Sequence, residues 1–221
     1  EESYGSQCTG SVVVLDVNDF SVLCAQSYPN YDLDKYMNDP QYREDLLLNK
    51  DGQNAMWNRC FWQGYPIGSA MKPAVALAAL QEGVIDTSTQ FRCGYTYYNA
   101  DMPDFHPLCM GTHGYLNVIE ALTVSCNIFF YDTGYNLGID NMNLYQRKLG
   151  LGELTGVEIY ESDGTLAGPD EKEDWYGGDT IMAAIGQSDN LITPVQLATY
   201  AATIANNGTR LRTHVVDKIT D

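Results

Sequence analysis

Ser69 and Lys72 stand three residues apart in Ser69-Ala70-Met71-Lys72, at the head of an Ala/Leu-rich run that closes at Gly83. On a helix that spacing is just under one turn, so the hydroxyl and the ammonium emerge on the same face. A serine is a weak nucleophile until a neighbour takes its proton. A lysine desolvated against apolar surface has its pKa lowered toward that of a working base. The helix start adds free backbone N–H groups and a partial positive charge, which suit a developing oxyanion. This is the only Ser-x-x-Lys in the chain, and Lys72 is embedded among Met71, Pro73 and Val75 rather than placed on a solvated stretch.

A second element, Ser125-Cys126-Asn127, interrupts a helical pattern that starts at Asn117 and resumes through Phe129, Phe130 and Tyr131 toward Gly134. Such a break is costly unless it presents side chains to something. A rival Ser-x-Asn occurs at Ser188-Asp189-Asn190, but it lies in a polar turn ahead of Thr193-Pro194 and reads as loop. Cys93, His106, Cys109 and His113 have spacing superficially like a zinc site. Pro103 and Pro107 and the lack of a close Cys pair argue against it, so no metal is expected there. A Cys93–Cys109 disulfide, or unbridged thiols, are the alternatives.

These groups need a scaffold, and the sequence reads as α+β. Ser11–Asp16 and Ser21–Gln26 form two β-branched runs around an Asn-Asp turn, predicting a hairpin over about 11–27. A Tyr-rich irregular stretch follows to about Gln53, with a short helix near 43–48. A mostly helical region runs over about 69–206, including a long loop at 86–114 and helices at about 140–149 and from Pro194, where Thr193-Pro194 is a cap and first-turn pair. A strand is expected to start at about 211–220. Among 221 residues, 12 Lys plus Arg face 29 Asp plus Glu, a formal charge of −17, which argues against nucleic acid and anionic membrane surfaces. With 44% hydrophobic residues the chain can pack a core, and its length suggests one large domain. It has no apolar run of the roughly 18 residues that span a bilayer, so a soluble chain is expected, with any anchor or export signal lying elsewhere.

From about Gly10 to Thr220 the sequence resembles the transpeptidase domain of class B bacterial penicillin-binding proteins. The resemblance rests on Val12-Val13-Val14-Leu15-Asp16, Ser27-Tyr28-Pro29-Asn30-Tyr31-Asp32, Tyr65-Pro66-Ile67-Gly68-Ser69-Ala70-Met71-Lys72-Pro73, His113-Gly114, Ser125-Cys126-Asn127, Gly178-Asp179-Thr180 and Ala184-Ile185-Gly186-Gln187 through Thr193-Pro194-Val195-Gln196-Leu197-Ala198. It implies the penicillin-binding-protein/serine β-lactamase-like fold and an acyl-serine mechanism on the D-Ala-D-Ala end of peptidoglycan stem peptides. Ser69 would be the nucleophile and Lys72 its base. Ser125 would relay the proton to the leaving D-alanine, and Asn127 would hold the substrate amide. β-Lactams would acylate the same serine. No cofactor is implied. The implied setting is the extracytoplasmic face of the bacterial membrane, with the parent membrane-anchored in a cell-wall synthesis complex. There Cys93 and Cys109 would bridge, and Cys126 would be a buried free thiol. The family's Lys-Thr/Ser-Gly motif is absent from these 221 residues. The resemblance therefore implies an N-terminal part of the domain, lacking anchor and pedestal and inactive alone. Two other outcomes carry different functions: a β-lactam sensor or class D-like β-lactamase, which usually have Ser-x-Val where Asn127 stands here, and a catalytically dead interaction domain. A Ser-His-Asp hydrolase is disfavoured, since no Gly-x-Ser-x-Gly surrounds Ser69 or Ser125.

Overall fold

In the computed structural model, which describes residues 8–220, Gly10–Leu15 (β1) and Val22–Tyr28 (β2) pair antiparallel with Val13 opposite Ala25. Their turn is fixed by side chains: Asp16 accepts from the backbone and side-chain amides of Asn18, and Asp19 accepts from the Ser21 N–H. Short helices follow at Leu33–Asn38 (α1) and Pro40–Leu47 (α2). The first was not expected, and the second starts earlier than the expected 43–48. Asp32 caps one helix, while Asp39 caps the other with Pro40 in its first turn, a stop-and-restart that hydrophobic pattern alone does not reveal.

The described chain divides into two compact units. One holds the residues up to Gly64, Glu153–Asp163 and those from Thr193 on. In it Pro194–Ala205 (α8) packs on β1, and Cys60, Phe61, Val157 and Val195 form an apolar cluster joined by Val13 and Trp62. Thr193 and Gln196 make a reciprocal cap, and the Gln196 amide also donates to the carbonyls of Glu153 and Asp163 at 2.7 and 2.6 Å. The strand expected at 211–220 does not form. This segment makes a single parallel bridge, His214 to Ser21, and only Thr213 of it is buried.

The other unit, Tyr65–Gly152 with Gly164–Ile192, carries the candidate site. Its buried helix is Lys72–Gln81 (α3), entered through a 3-10 turn at Gly68–Met71. Inside the long loop, Phe91–Cys93 (β3) and Gly114–Leu116 (β4) pair antiparallel. Val118–Thr123 (α4) starts at a capping box between Asn117 and Glu120, and Asn127–Leu137 (α5) follows the break. Ile139–Lys148 (α6) and Gly177–Ala183 (α7) complete the unit, with α3 against α5 and α6, and α5 against α7. Phe129, Phe130 and Tyr131 of α5 are all buried and form its centre. The helix runs past Gly134, its expected limit. A Cβ there would lie 2.3 Å from the Ala184 Cβ, so this glycine serves close packing rather than termination. No described helix is long and apolar enough to cross a membrane.

Candidate active site

Ser69 sits in the 3-10 turn, exposed, and Lys72 opens α3 with only 1% of its surface accessible. The turn is seated on the bend ending at Gly186. The Gly68 N–H donates to the Gly186 carbonyl at 3.0 Å. Gly186 has φ +73°, and a Cβ on it would lie 2.1 Å from the Gly68 oxygen. Backbone approach that close admits only glycine.

The helix break brings Ser125 and Asn127 onto the lysine. Ser125 adopts φ +52°, a left-handed conformation uncommon for a residue with a Cβ. Its carbonyl and hydroxyl oxygens thereby face one ammonium. Lys72 Nζ donates to Ser125 O at 2.8 Å, to Ser125 Oγ at 3.0 Å and to Asn127 Oδ1 at 2.7 Å. The Phe130 ring lies 5.6 Å from the same nitrogen. Ser125 Oγ donates to Ser69 Oγ at 3.0 Å. The structure thus brings together all four of the residues that sequence reasoning singled out. Ser125 lies within direct hydrogen-bond reach of Ser69, and with three donors already engaged the lysine reaches Ser69 through Ser125. Burial pushes the Lys72 ammonium down to about 8, against a weaker upward pull from the nearby sulfurs of Cys109 and Cys126. At that value a usable fraction of Lys72 is neutral near pH 7, and the hydrogen bonds run from Ser69 through Ser125 to it, the arrangement a general base needs.

The rival Ser188-Asp189-Asn190 lies apart from this constellation in function. Asn190 is buried, accepts from the Ala167 N–H and donates to the carbonyls of Ala183 and Gln187, which braces the loop.

Directly behind the break, Cys93, Cys109, His113 and Cys126 converge, with one ligand atom from each lying within 4.8 Å of the others. Cys93 Sγ and Cys109 Sγ are 3.5 and 3.6 Å from His113 Nδ1, and the sulfurs of Cys109 and Cys126 are 3.9 Å apart. The Asn127 N–H donates to Cys109 Sγ at 3.3 Å, tying the cluster to the helix that carries Asn127. Burial pushes the Cys126 thiol up to about 12. Burial also acts upward on Cys109, but backbone hydrogen bonds from Gly111, Ile128 and Asn127 outweigh it, and its thiol falls below the ordinary value. The bridge expected between Cys93 and Cys109 is not formed. Both are free thiols, gathered around His113. His106 is elsewhere, its ring 4.7 Å from that of Tyr98. Three sulfurs and one imidazole form a donor set suited to a tetrahedral ion of the zinc type. Sequence spacing singled out three of these four but put His106 in the fourth place and argued against a metal, because Cys126 arrives from the helix break and its approach has no signature in spacing.

The chain is 31% identical over 214 residues to peptidoglycan D,D-transpeptidase MrdA of Acinetobacter baumannii, covering 94% of this chain and 32% of that protein. It spans about a third of that relative's length. Penicillin-binding protein PBP2 of Helicobacter pylori, solved in complex with MreC, superposes with a TM-score of 0.83 at 28% identity, over 93% of this chain and 39% of that one. Penicillin-binding protein A of M. tuberculosis, solved as a ceftriaxone acyl-enzyme, gives a TM-score of 0.83 at 26% identity, over 94% of this chain and 47% of that one. Residues 10–221 match the family described as the penicillin binding protein transpeptidase domain, and with its Ser-x-x-Lys and Ser-x-Asn elements in contact the chain belongs to that family.

Proposed function

We propose that this chain is the nucleophile-bearing part of a serine D,D-transpeptidase that acts on the D-Ala-D-Ala end of peptidoglycan stem peptides and is acylated by β-lactams. The hydrogen-bonded chain from Ser69 through Ser125 to Lys72 supports this reading most directly. Ser69 Oγ attacks the substrate carbonyl while its proton passes to Ser125 and on to a neutral Lys72. On collapse of the tetrahedral intermediate the same path returns the proton to the departing D-alanine nitrogen. Asn127, held by Lys72 and by Cys109, presents its amide to the substrate backbone. In this reading the parent works on the extracytoplasmic face of the membrane, in a cell-wall synthesis complex. The Helicobacter pylori relative solved in complex with MreC supports the membership of a complex.

The test is covalent labelling by a fluorescent penicillin followed by peptide mapping. The adduct is expected on Ser69; an adduct elsewhere, or none in the full-length protein, overturns the reading. These 221 residues contain no Lys-Thr/Ser-Gly, the family element to which an oxyanion donor and the carboxylate grip are ascribed. Losing one oxyanion donor costs about 2.7–4 kcal/mol. The isolated chain is therefore expected to label about 100-fold or more slowly than a version extended through that motif. Equal labelling rates would show the motif to be dispensable.

The convergence of Cys93, Cys109, His113 and Cys126 favours a second, structural role beside the first: holding one zinc-type ion that pins the Ser125-Cys126-Asn127 break. Reduced protein is expected to retain one equivalent of Zn²⁺ on elemental analysis, and His113→Ala to lose it. An ion present at 100 times its Kd adds about 2.7 kcal/mol of stability, a rise in Tm of about 5 °C or more. Equal metal content in both proteins would remove this role.

A further inference from the structure

We propose that Cys109 and Cys126 form an oxidisable dithiol whose closure to a disulfide disables the adjoining catalytic elements. Their sulfurs are 3.9 Å apart, and both side chains are buried with Cys93 as the third thiol. Cys109 keeps 5% of its surface accessible and Cys126 none, so peroxide meets Cys109 first. The chemistry needs only a peroxide. Cys109 sulfur attacks a peroxide oxygen and breaks the O–O bond, giving a sulfenic acid and one water from hydrogen peroxide. Cys126 sulfur then attacks the Cys109 sulfur and displaces its hydroxyl as a second water. Both sulfurs are oxidised, and the peroxide carries the two electrons away.

A disulfide holds its sulfurs at about 2 Å, so a further gap of about the same size must close. Cys126 cannot move alone. It is flanked by Ser125, already at φ +52°, and by Asn127, whose N–H uses Cys109 Sγ as acceptor. These two residues supply all three acceptors of Lys72, and Ser125 makes the link to Ser69. Closure therefore shifts the segment on which the proton path depends. In the reduced state the same sulfurs are free to hold an ion, so oxidation and metal binding exclude one another.

The activity arm rests on the transpeptidase reading; the chemical arm does not. Full-length protein, reduced and freed of metal with a chelator, is treated with hydrogen peroxide. The expected results are a mass loss of two hydrogens, a mapped Cys109–Cys126 bridge, altered hydrogen exchange across residues 125–127, and penicillin labelling lowered at least tenfold and restored by dithiothreitol. Cys93→Ser is expected to keep the bridge and the sensitivity, and Cys109→Ser to lose both. A bridge at Cys93–Cys109, no bridge, or a Cys109–Cys126 bridge that leaves exchange at 125–127 unchanged overturns the proposal. Should reduced protein fail to label at all, the transpeptidase reading fails, while mass and exchange still decide the switch.

Discussion

Lys72→Met in the full-length protein is expected to slow acylation by a labelled penicillin about 10³- to 10⁴-fold, the upper range for losing a general base. The ammonium is buried, its hydrogen bonds end on Ser125 and Asn127, and it stands at the end of the hydrogen-bonded path that leads from Ser69 through Ser125. Lys72→Arg is expected to be equally inactive, because a guanidinium keeps its charge and cannot act as base. The wild-type pH profile carries the sign. In the proposed relay Lys72 acts in its neutral form, and its pKa of about 8 makes the neutral fraction fall tenfold for each pH unit below that value. The labelling rate should thus climb with unit logarithmic slope up to about pH 8 and then level off. A flat profile from pH 6 to 9, or an active arginine variant, would assign the base elsewhere.

Gly186→Ala is expected to damage both stability and activity. The new Cβ would lie 2.1 Å from a backbone oxygen, which cannot rotate aside as a side chain could. Overpacking costs about 1–3 kcal/mol and a left-handed non-glycine residue about 1–2 more. A total of about 3 kcal/mol corresponds to a Tm lower by roughly 10 °C. Relief of the clash must displace Gly68 and with it Ser69, so labelling should fall even below the melting range. Gly83→Ala is the matched comparison: φ is +67° there too, but nothing lies within 4 Å of its Cβ. Only the conformational strain of about 1 kcal/mol remains, and labelling should be unchanged. Thermal unfolding of the two variants side by side separates crowding from strain, and equal losses would show that the approach to Gly68 carries no weight.

The parts legible from sequence are those governed by local chemistry. Helix starts at Asn117 and Thr193 follow from caps that satisfy their own first-turn N–H groups within four residues. The hairpin follows from β-branched runs and an Asp/Asn turn whose bonds span two residues. Ser69 and Lys72 had to share a face because the backbone between them is one turn long. The missed elements lack such signals: β3 and β4 have three residues each, too few to show alternation, and α7 opens on Gly177-Gly178, the weakest helix formers after proline. The 211–220 run alternates as a strand would, yet a strand also needs a partner with matching register. Among the described residues it finds one bridge, at His214.

Tertiary structure decided what no local pattern could. Ser125 is 56 residues from Ser69, and the distance between their hydroxyls depends on how α3 and α5 pack. Lys72 becomes a candidate base only when α5 and its Phe130 close over it, because desolvation is a property of the surroundings and not of the residue. Cys126 joins Cys93, Cys109 and His113 for the same reason. Short-range rules place each side chain on its own element, but the meeting of elements distant in sequence is set by which buried surfaces exclude water together.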